Sequence, residues 1–404
     1  MTDTSLAALL AVAEPVGHAF RDAGYRAYLV GGIVRDHLLG RSIDDAADLD
    51  LTTDATPAVI KAVVEPLADA VWTQGERFGT IGCRIDGRLY EVTTHRAERY
   101  DASSRKPEVD FSDDVEDDLS RRDFTINAMA RSLPDGDLVD PFDGRGDLDR
   151  RRLMTPLDPE LSFTDDPLRM LRAARFAASY GFVPDPQVVV AIRRLVGRLD
   201  IVSAERIRGE LVRLLGATDP TPGLELLLGT GLAEHFLPEL GTADLVAVHA
   251  VGPDPVMRMA VILGDPVESG LARLRALRFA NDDLATVRRV RRGLHQLTGT
   301  EDESLRRFVV AAGPDLDRAI HLAVATAHPA AGNLGARISE LVEREGDDGF
   351  APALSGGELI AELGLEPGPV VGEAVNWLGE ERLRRGPLPR DVALEAVRGW
   401  LAQR

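Results

Sequence analysis

The sequence predicts an α/β head over residues 1–150, followed by an all-helical neck (151–240) and an all-helical body and tail (241–404). Three observations predict it. Short alternating or β-branched runs occur only in the first part, at Arg26–Val30, Leu49–Thr53, Phe78–Ile85 and Arg88–Thr94. They are interleaved with helix-period segments, which implies a mixed sheet layered with helices. Beyond about residue 150 the strand signals fade, and stretches such as GPDP, AHPAAG and EPGPV read as links between helices.

Taken in order, Ser5–Ala23 reads as an opening helix with Leu9, Val12, Val16 and Phe20 on one face. Arg26–Val30 is a short strand, Gly31-Gly32 a turn, and Ile33–Leu39 the start of a helix. Leu49–Thr53 is a strand. Asp86-Gly87 is a type I′ turn signal that joins Phe78–Ile85 to Arg88–Thr94 as a hairpin. Glu98–Asp118, polar and rich in Ser, Asp and Pro, reads as a mobile loop. Helices are then expected at Pro167–Ser179, Pro186–Val196, Ser203–Leu215, Gly223–Leu228 and Pro255–Leu263. There is no internal repeat and no low-complexity tract.

Composition excludes several classes. Hydrophobic residues make up 44 % and charged residues 28 %, a balance of folded chains rather than disordered ones. No apolar stretch is long enough to span a bilayer, and the N-terminus lacks the basic start and cleavage site of a signal peptide, so a cytoplasmic location is expected. A single cysteine, Cys83, rules out a disulfide framework and a cysteine-based zinc site. The net charge of −19 opposes broad adhesion to nucleic acid but leaves room for a local basic groove. The only lysines are Lys61 and Lys106. Nearly every cation is therefore arginine, whose planar fork suits phosphates and base edges.

The densest chemistry lies in YLVGGIVRDHLLG and DLDLTTD. Period-2 geometry puts Asp48 and Asp50 on one strand face. Paired carboxylates repel unless a cation lies between them, and Mg²⁺, held together with substrate phosphates, is the natural partner. Gly31 and Gly32 allow the backbone to approach a phosphate, and Arg35 on the first helical turn can reach one. Alone, an Asp-x-Asp is usually an acidic strand end and a Gly-Gly usually a turn. The order strand, Gly-Gly, helix, Asp-x-Asp is much more specific.

That combination resembles the nucleotidyltransferase superfamily of DNA polymerase beta. More narrowly, it is similar to the first motif of class II CCA-adding tRNA nucleotidyltransferases and their relatives, the bacterial poly(A) polymerases. The resemblance continues through SRRDFTINA at 120–128, where it implies that Arg122 holds phosphate and that Asp123 and Asn127 meet ribose hydroxyls. DPFDGRGDL at 140–148 resembles a hinge motif. In TDDPLRMLRAARF, Asp165 or Asp166 can cap a helix on which Arg169, Arg172 and Arg175 form a drifting polar stripe, while Leu168 and Leu171 pack inward. By itself this segment is equally a capped helix with a solvated arginine face. The resemblance implies that Asp166 and Arg169 read the Watson–Crick edge of the incoming base, with Arg172 and Arg175 supporting nucleotide and primer end. An aspartate and an arginine so placed suit cytosine and adenine and leave groups unpaired against guanine and uracil. Asp165 stands where the family usually has Glu. SAERIRGELVRLL resembles a fifth, bracing motif, with Ile207, Leu211, Leu214 and Leu215 on its apolar face.

The resemblance thus implies a Mg²⁺-dependent enzyme acting on tRNA with CTP and ATP, monomeric or homodimeric. Glu91 is a candidate third carboxylate. A poly(A) polymerase or a non-catalytic tRNA-binding relative are the rival readings. Family members often carry a His-Asp metal motif further on; here RMAVILGD has Gly264 at the histidine position, so that region reads as shortened and metal-free. Arg273, Arg275, Arg278, Arg288, Arg289, Arg291 and Arg292 form the clearest basic stretch, either a solvated helix face or a tRNA contact.

Overall fold

The computed structural model describes residues 3–41, 48–99, 108–346 and 350–403. The chain forms two compact units, Met1–Val202 with Gly229–His235, and Ser203–Leu228 with Phe236–Arg404.

The first unit is built on a sheet of β1 (Ala27–Val30), β2 (Leu49–Thr53), β3 (Ala70–Trp72), β4 (Thr80–Ile85) and β5 (Arg88–Thr94), with two later strands, β8 (Ala130–Leu133) and β9 (Leu138–Val139). Their spatial order is β3-β4-β5-β2-β1-β8-β9. The β2–β5 pair is parallel and the other pairs are antiparallel. The β4–β5 turn has Asp86 and Gly87 at φ 49° and 77°, the two positive values a type I′ turn requires. One sheet face carries Leu49, Leu51, Ile81, Cys83, Tyr90 and Val92, all buried. It packs against α1 (Asp3–Asp22) and α3 (Pro57–Val64). The buried stripe of α1 is Ala13, Val16 and Phe20; Val12, expected on that stripe, is instead 37 % exposed, at its edge.

The segment read as a loop over Glu98–Asp118 is partly regular. β6 (Arg96–Arg99) and β7 (Glu108–Phe111) pair antiparallel, with Arg99 opposite Glu108. Asp114 then caps α4 (Val115–Ser120) by accepting the Glu116 N–H. The rest of the expected loop, 100–107, lies outside the described residues. Val115 and Leu119 of α4 cluster with Tyr28, Val30, Ala128 and Ala130 on the second sheet face. Strand β4 begins at Thr80 rather than Phe78, because Glu76–Phe78 is a 3₁₀ turn closed by Gly79 at φ 81°.

Between them, α2 (Gly32–Leu38) follows β1, and α5 (Gly144–Arg150), α6 (Pro159–Asp165), α7 (Leu168–Tyr180) and α8 (Pro186–Leu195) complete the first unit's principal helices. Leu168 and Leu171 are buried, as the stripe predicts. Asp166 caps α7, accepting the Leu168 N–H at 3.2 Å.

The described elements of the second unit are helical. α9 (Ala204–Leu215) buries Ile207, Leu211, Leu214 and Leu215, and Ser203 occupies its cap position without a side-chain cap bond. Arg258, on Pro255–Leu263, is fully buried and donates to the carbonyls of Val248, Leu215, Ala217 and Thr218. The expected basic strip is largely neutralised. Arg273 pairs with Glu239, Arg278 with Glu205, Arg288 and Arg292 with Glu268, Arg289 with Asp315, and Arg291 with Asp265. Several of these pairs tie helices together, while Arg278 and Arg292 keep largely exposed side chains. In the tail, Trp377 and Trp400 stack with ring centroids 5.9 Å apart. No described helix is long and apolar enough to cross a membrane.

Candidate active site

The second face of the sheet holds the acidic residues. Asp50 lies directly opposite Glu91 in the parallel β2–β5 register, and opposed residues share a face. Asp48, Asp50 and Glu91 are all exposed there. Desolvation pushes the Asp50 carboxyl up; Arg122 opposes this, while Glu91 and Asp48 add to it. A divalent cation beside Asp50 would relieve that repulsion. Among the described residues no group of three His, Cys, Asp or Glu side chains is placed to hold a metal ion by itself.

Beside this row a cavity of about 260 Å³ is lined by Arg121, Arg122, Asp123, Asp166, Arg169 and Arg172. Sequence segments about 40 residues apart meet here because α4 ends at the cavity and α7 begins at it. Asp118, fully buried on α4, fixes two of the arginines. It accepts from Arg121 Nε and Nη2 at 3.0 and 2.6 Å and from Arg122 Nη2 at 3.1 Å. Burial alone would raise the Asp118 carboxyl, but the two guanidiniums hold it at about 2. Asp118 had no role in the sequence reading. Its spacing, three and four residues before Arg121 and Arg122 on one helix face, is the signal that marks it.

Arg172 donates to Asp123 Oδ2 from Nε at 2.8 Å and Nη2 at 2.6 Å. Asp123 Oδ1 accepts from Asn127 Nδ2 and the Phe124 N–H, both at 2.9 Å. Burial pushes the Asp123 carboxyl up, and these partners outweigh it and hold it below the usual range. Asp123 and Asn127, expected at ribose hydroxyls, are therefore engaged with protein groups. Arg169 donates to Ser162 Oγ at 2.8 Å and to the Arg121 carbonyl at 2.6 Å, which orients its guanidinium at the cavity wall.

Two expected residues lie elsewhere. Arg35 is buried, donating to Asn127 Oδ1 at 2.7 Å, to Tyr180 Oη at 2.6 Å and to Asp36 at 2.9 and 3.0 Å. Its guanidinium lies over the Tyr180 ring at 4.4 Å, so it braces α2 against α7 instead of lining the cavity. Arg175 rests over the Phe176 ring at 4.2 Å and does not line it either. The two glycines divide the same way. A Cβ on Gly32 would meet Arg35 Nη2 at 3.3 Å, whereas one on Gly31 would meet Arg122 Nη1 at 3.3 Å and Asp50 Oδ2 at 3.7 Å. Gly31, at φ 79°, is the backbone that passes the site.

Residues 27–154 match the family described as Poly A polymerase head domain, and residues 181–243 match that described as Probable RNA and SrmB- binding site of polymerase A. The CCA-adding enzyme of Limosilactobacillus fermentum is 33 % identical over 388 residues, covering 91 % of each chain. The chain belongs to the CCA-adding enzyme and poly(A) polymerase family. Another member, the CCA-adding enzyme of Lactobacillus gasseri, is 38 % identical over 250 residues, and the match spans about three fifths of its length, 61 %. Among solved structures of the family, the Bacillus stearothermophilus CCA-adding enzyme in complex with CTP superposes with a TM-score of 0.76 at 28 % identity, covering 97 % of each chain. Nucleotidyltransferases of this family generally use a divalent metal.

Proposed function

We propose that this chain adds C, C and A to the 3′ end of tRNA from CTP and ATP, without a nucleic-acid template and with release of pyrophosphate. The observation that carries the reading is the single cavity shared by Asp166, Arg169, Arg122 and Arg172, set against the carboxylate row. In this reading residues 1–150 are the catalytic head, 151–240 the neck and 241–404 a body and tail without a metal motif, in a cytoplasmic enzyme. The cation is Mg²⁺, held by Asp48 and Asp50 with Glu91 beside them; when bound it supplies Lewis acidity to the acceptor hydroxyl and neutralises triphosphate charge.

The chain's own residues position and screen. Arg122, anchored by Asp118, faces the triphosphate. Arg172, anchored by Asp123, supports the nucleotide. Asp166 accepts from the exocyclic amine of cytosine or adenine, and Arg169 donates to the ring acceptors. Arg35 and Gly32 act one layer back, through Asn127, and Arg175 supports α7. Catalysis is then positioning plus electrostatics, as phosphoryl transfer requires.

The test is extension of tRNA ending at its discriminator base, with CTP, ATP and Mg²⁺, read at single-nucleotide resolution. Three additions followed by arrest are expected, and Asp48→Ala abolishes them while the fold persists. A long A tail or no extension overturns the reading.

A further inference from the structure

One row of the sheet runs from the carboxylates to its edge. Asp50 is opposite Glu91, Glu91 opposite Gly82, and Gly82 opposite Trp72. Opposed residues share a face, so all four lie on the open one. Gly82 has no side chain there, and the indole of Trp72 covers its bare backbone: a Cβ on Gly82 would meet Trp72 Cε3 at 3.3 Å. Trp72 is nevertheless 37 % exposed and its neighbour Leu89 41 %. Together with Thr80 and Gln74 they line a cavity of about 350 Å³ that ends at Asp48 and Glu91. Its lining includes no arginine or lysine.

This lining lacks the guanidinium groups that the arginine-lined cavity offers a triphosphate. It suits an uncharged planar ring whose attached hydroxyl must reach the carboxylates. The arginine-lined cavity lies on the other side of Asp50, next to Arg122. The two cavities thus flank the acidic row with opposite charge character.

We infer that Trp72 is the stacking platform for the 3′-terminal base of the acceptor RNA, seated over Gly82 so that its ribose hydroxyl lies at Asp48 and Glu91. The inference rests on the proposed nucleotidyl transfer and adds where the acceptor end binds. Stacking on an aromatic face tolerates any base, which suits an acceptor whose last residue changes with each addition.

The experiment compares wild type, Trp72→Ala and Trp72→Phe on tRNA acceptors with a normal or an abasic 3′-terminal nucleotide. Trp72→Ala should raise the KM for normal acceptor about tenfold. It should leave the KM for CTP unchanged, and Trp72→Phe should recover most of the loss. On the abasic acceptor wild type and Trp72→Ala should coincide. An unchanged acceptor KM, an equal rise in the KM for CTP, or the same loss on the abasic acceptor overturns the inference. A parallel binding measurement separates it from the activity: quenching of Trp72 fluorescence by the normal acceptor but not the abasic one, in a Trp377→Phe/Trp400→Phe chain. Quenching in a protein that extends nothing would retain the platform and sink the transferase reading; extension without quenching would do the reverse.

Discussion

Replacing Asp118 with asparagine tests the anchor on which the phosphate-side arginines depend. Its carboxyl stands at about 2 against an ordinary 3.8, nearly two pH units, which corresponds to about 2.5 kcal/mol of folding stability at neutral pH. The folded value lies below the unfolded one. The contribution is therefore complete above about pH 4 and drains as the pH falls toward 2. Asp118→Asn should cost about 2–3 kcal/mol at pH 7, and the gap to wild type should narrow by about 1 kcal/mol at pH 3. Urea unfolding followed by Trp72 fluorescence, with Trp377 and Trp400 replaced by phenylalanine, reads the first unit, because the other two tryptophans lie in the second. The same substitution frees Arg122 from its 3.1 Å partner and should raise the KM for CTP about tenfold. An unchanged urea midpoint together with an unchanged KM would refute the anchoring argument.

Three further outcomes follow from the same geometry. Glu91→Gln should raise the Mg²⁺ concentration for half-maximal extension about tenfold, measured by metal titration at saturating CTP. Gly31→Ala imposes a side chain at φ 79° and 3.3 Å from Arg122 Nη1; a stability loss of about 1 kcal/mol and a higher KM for CTP are expected, from melting and steady-state kinetics. Arg258→Met strands carbonyls at the end of α9 and should cost about 3 kcal/mol in the second unit, read by calorimetry as an earlier transition.

Asp48 and Asp50 were legible because alternation along one strand fixes their face. That Glu91 faces Asp50 was not derivable in the same way, since a parallel pairing across an intervening helix and two strands leaves no local trace of its register. Arg35 shows the opposite limit. Its helix was read correctly, but its partners Asn127 and Tyr180 lie 92 and 145 residues further on, and they consume the guanidinium. The arginines at 288 and 289 were conspicuous as charge, while the acids that pair with them, Glu268 and Asp315, lie 20 and 26 residues away on other elements. Asp118 was hidden inside a segment whose polarity masked a short capped helix.

The β2–β5 pairing also sets when the acidic row comes into being. Strands β1 and β2 can hairpin early, but residues of β2 and β5 facing one another are 41 positions apart, as Thr52 and Thr93 are. Contacts of such separation form late, after the entropy of closing the intervening loop has been met. Until β5 docks, Asp48 and Asp50 lack Glu91 opposite them. The row is complete only once β5 has docked beside β2, and the cavity beside it only once α4 and α7, later in the chain, have joined it.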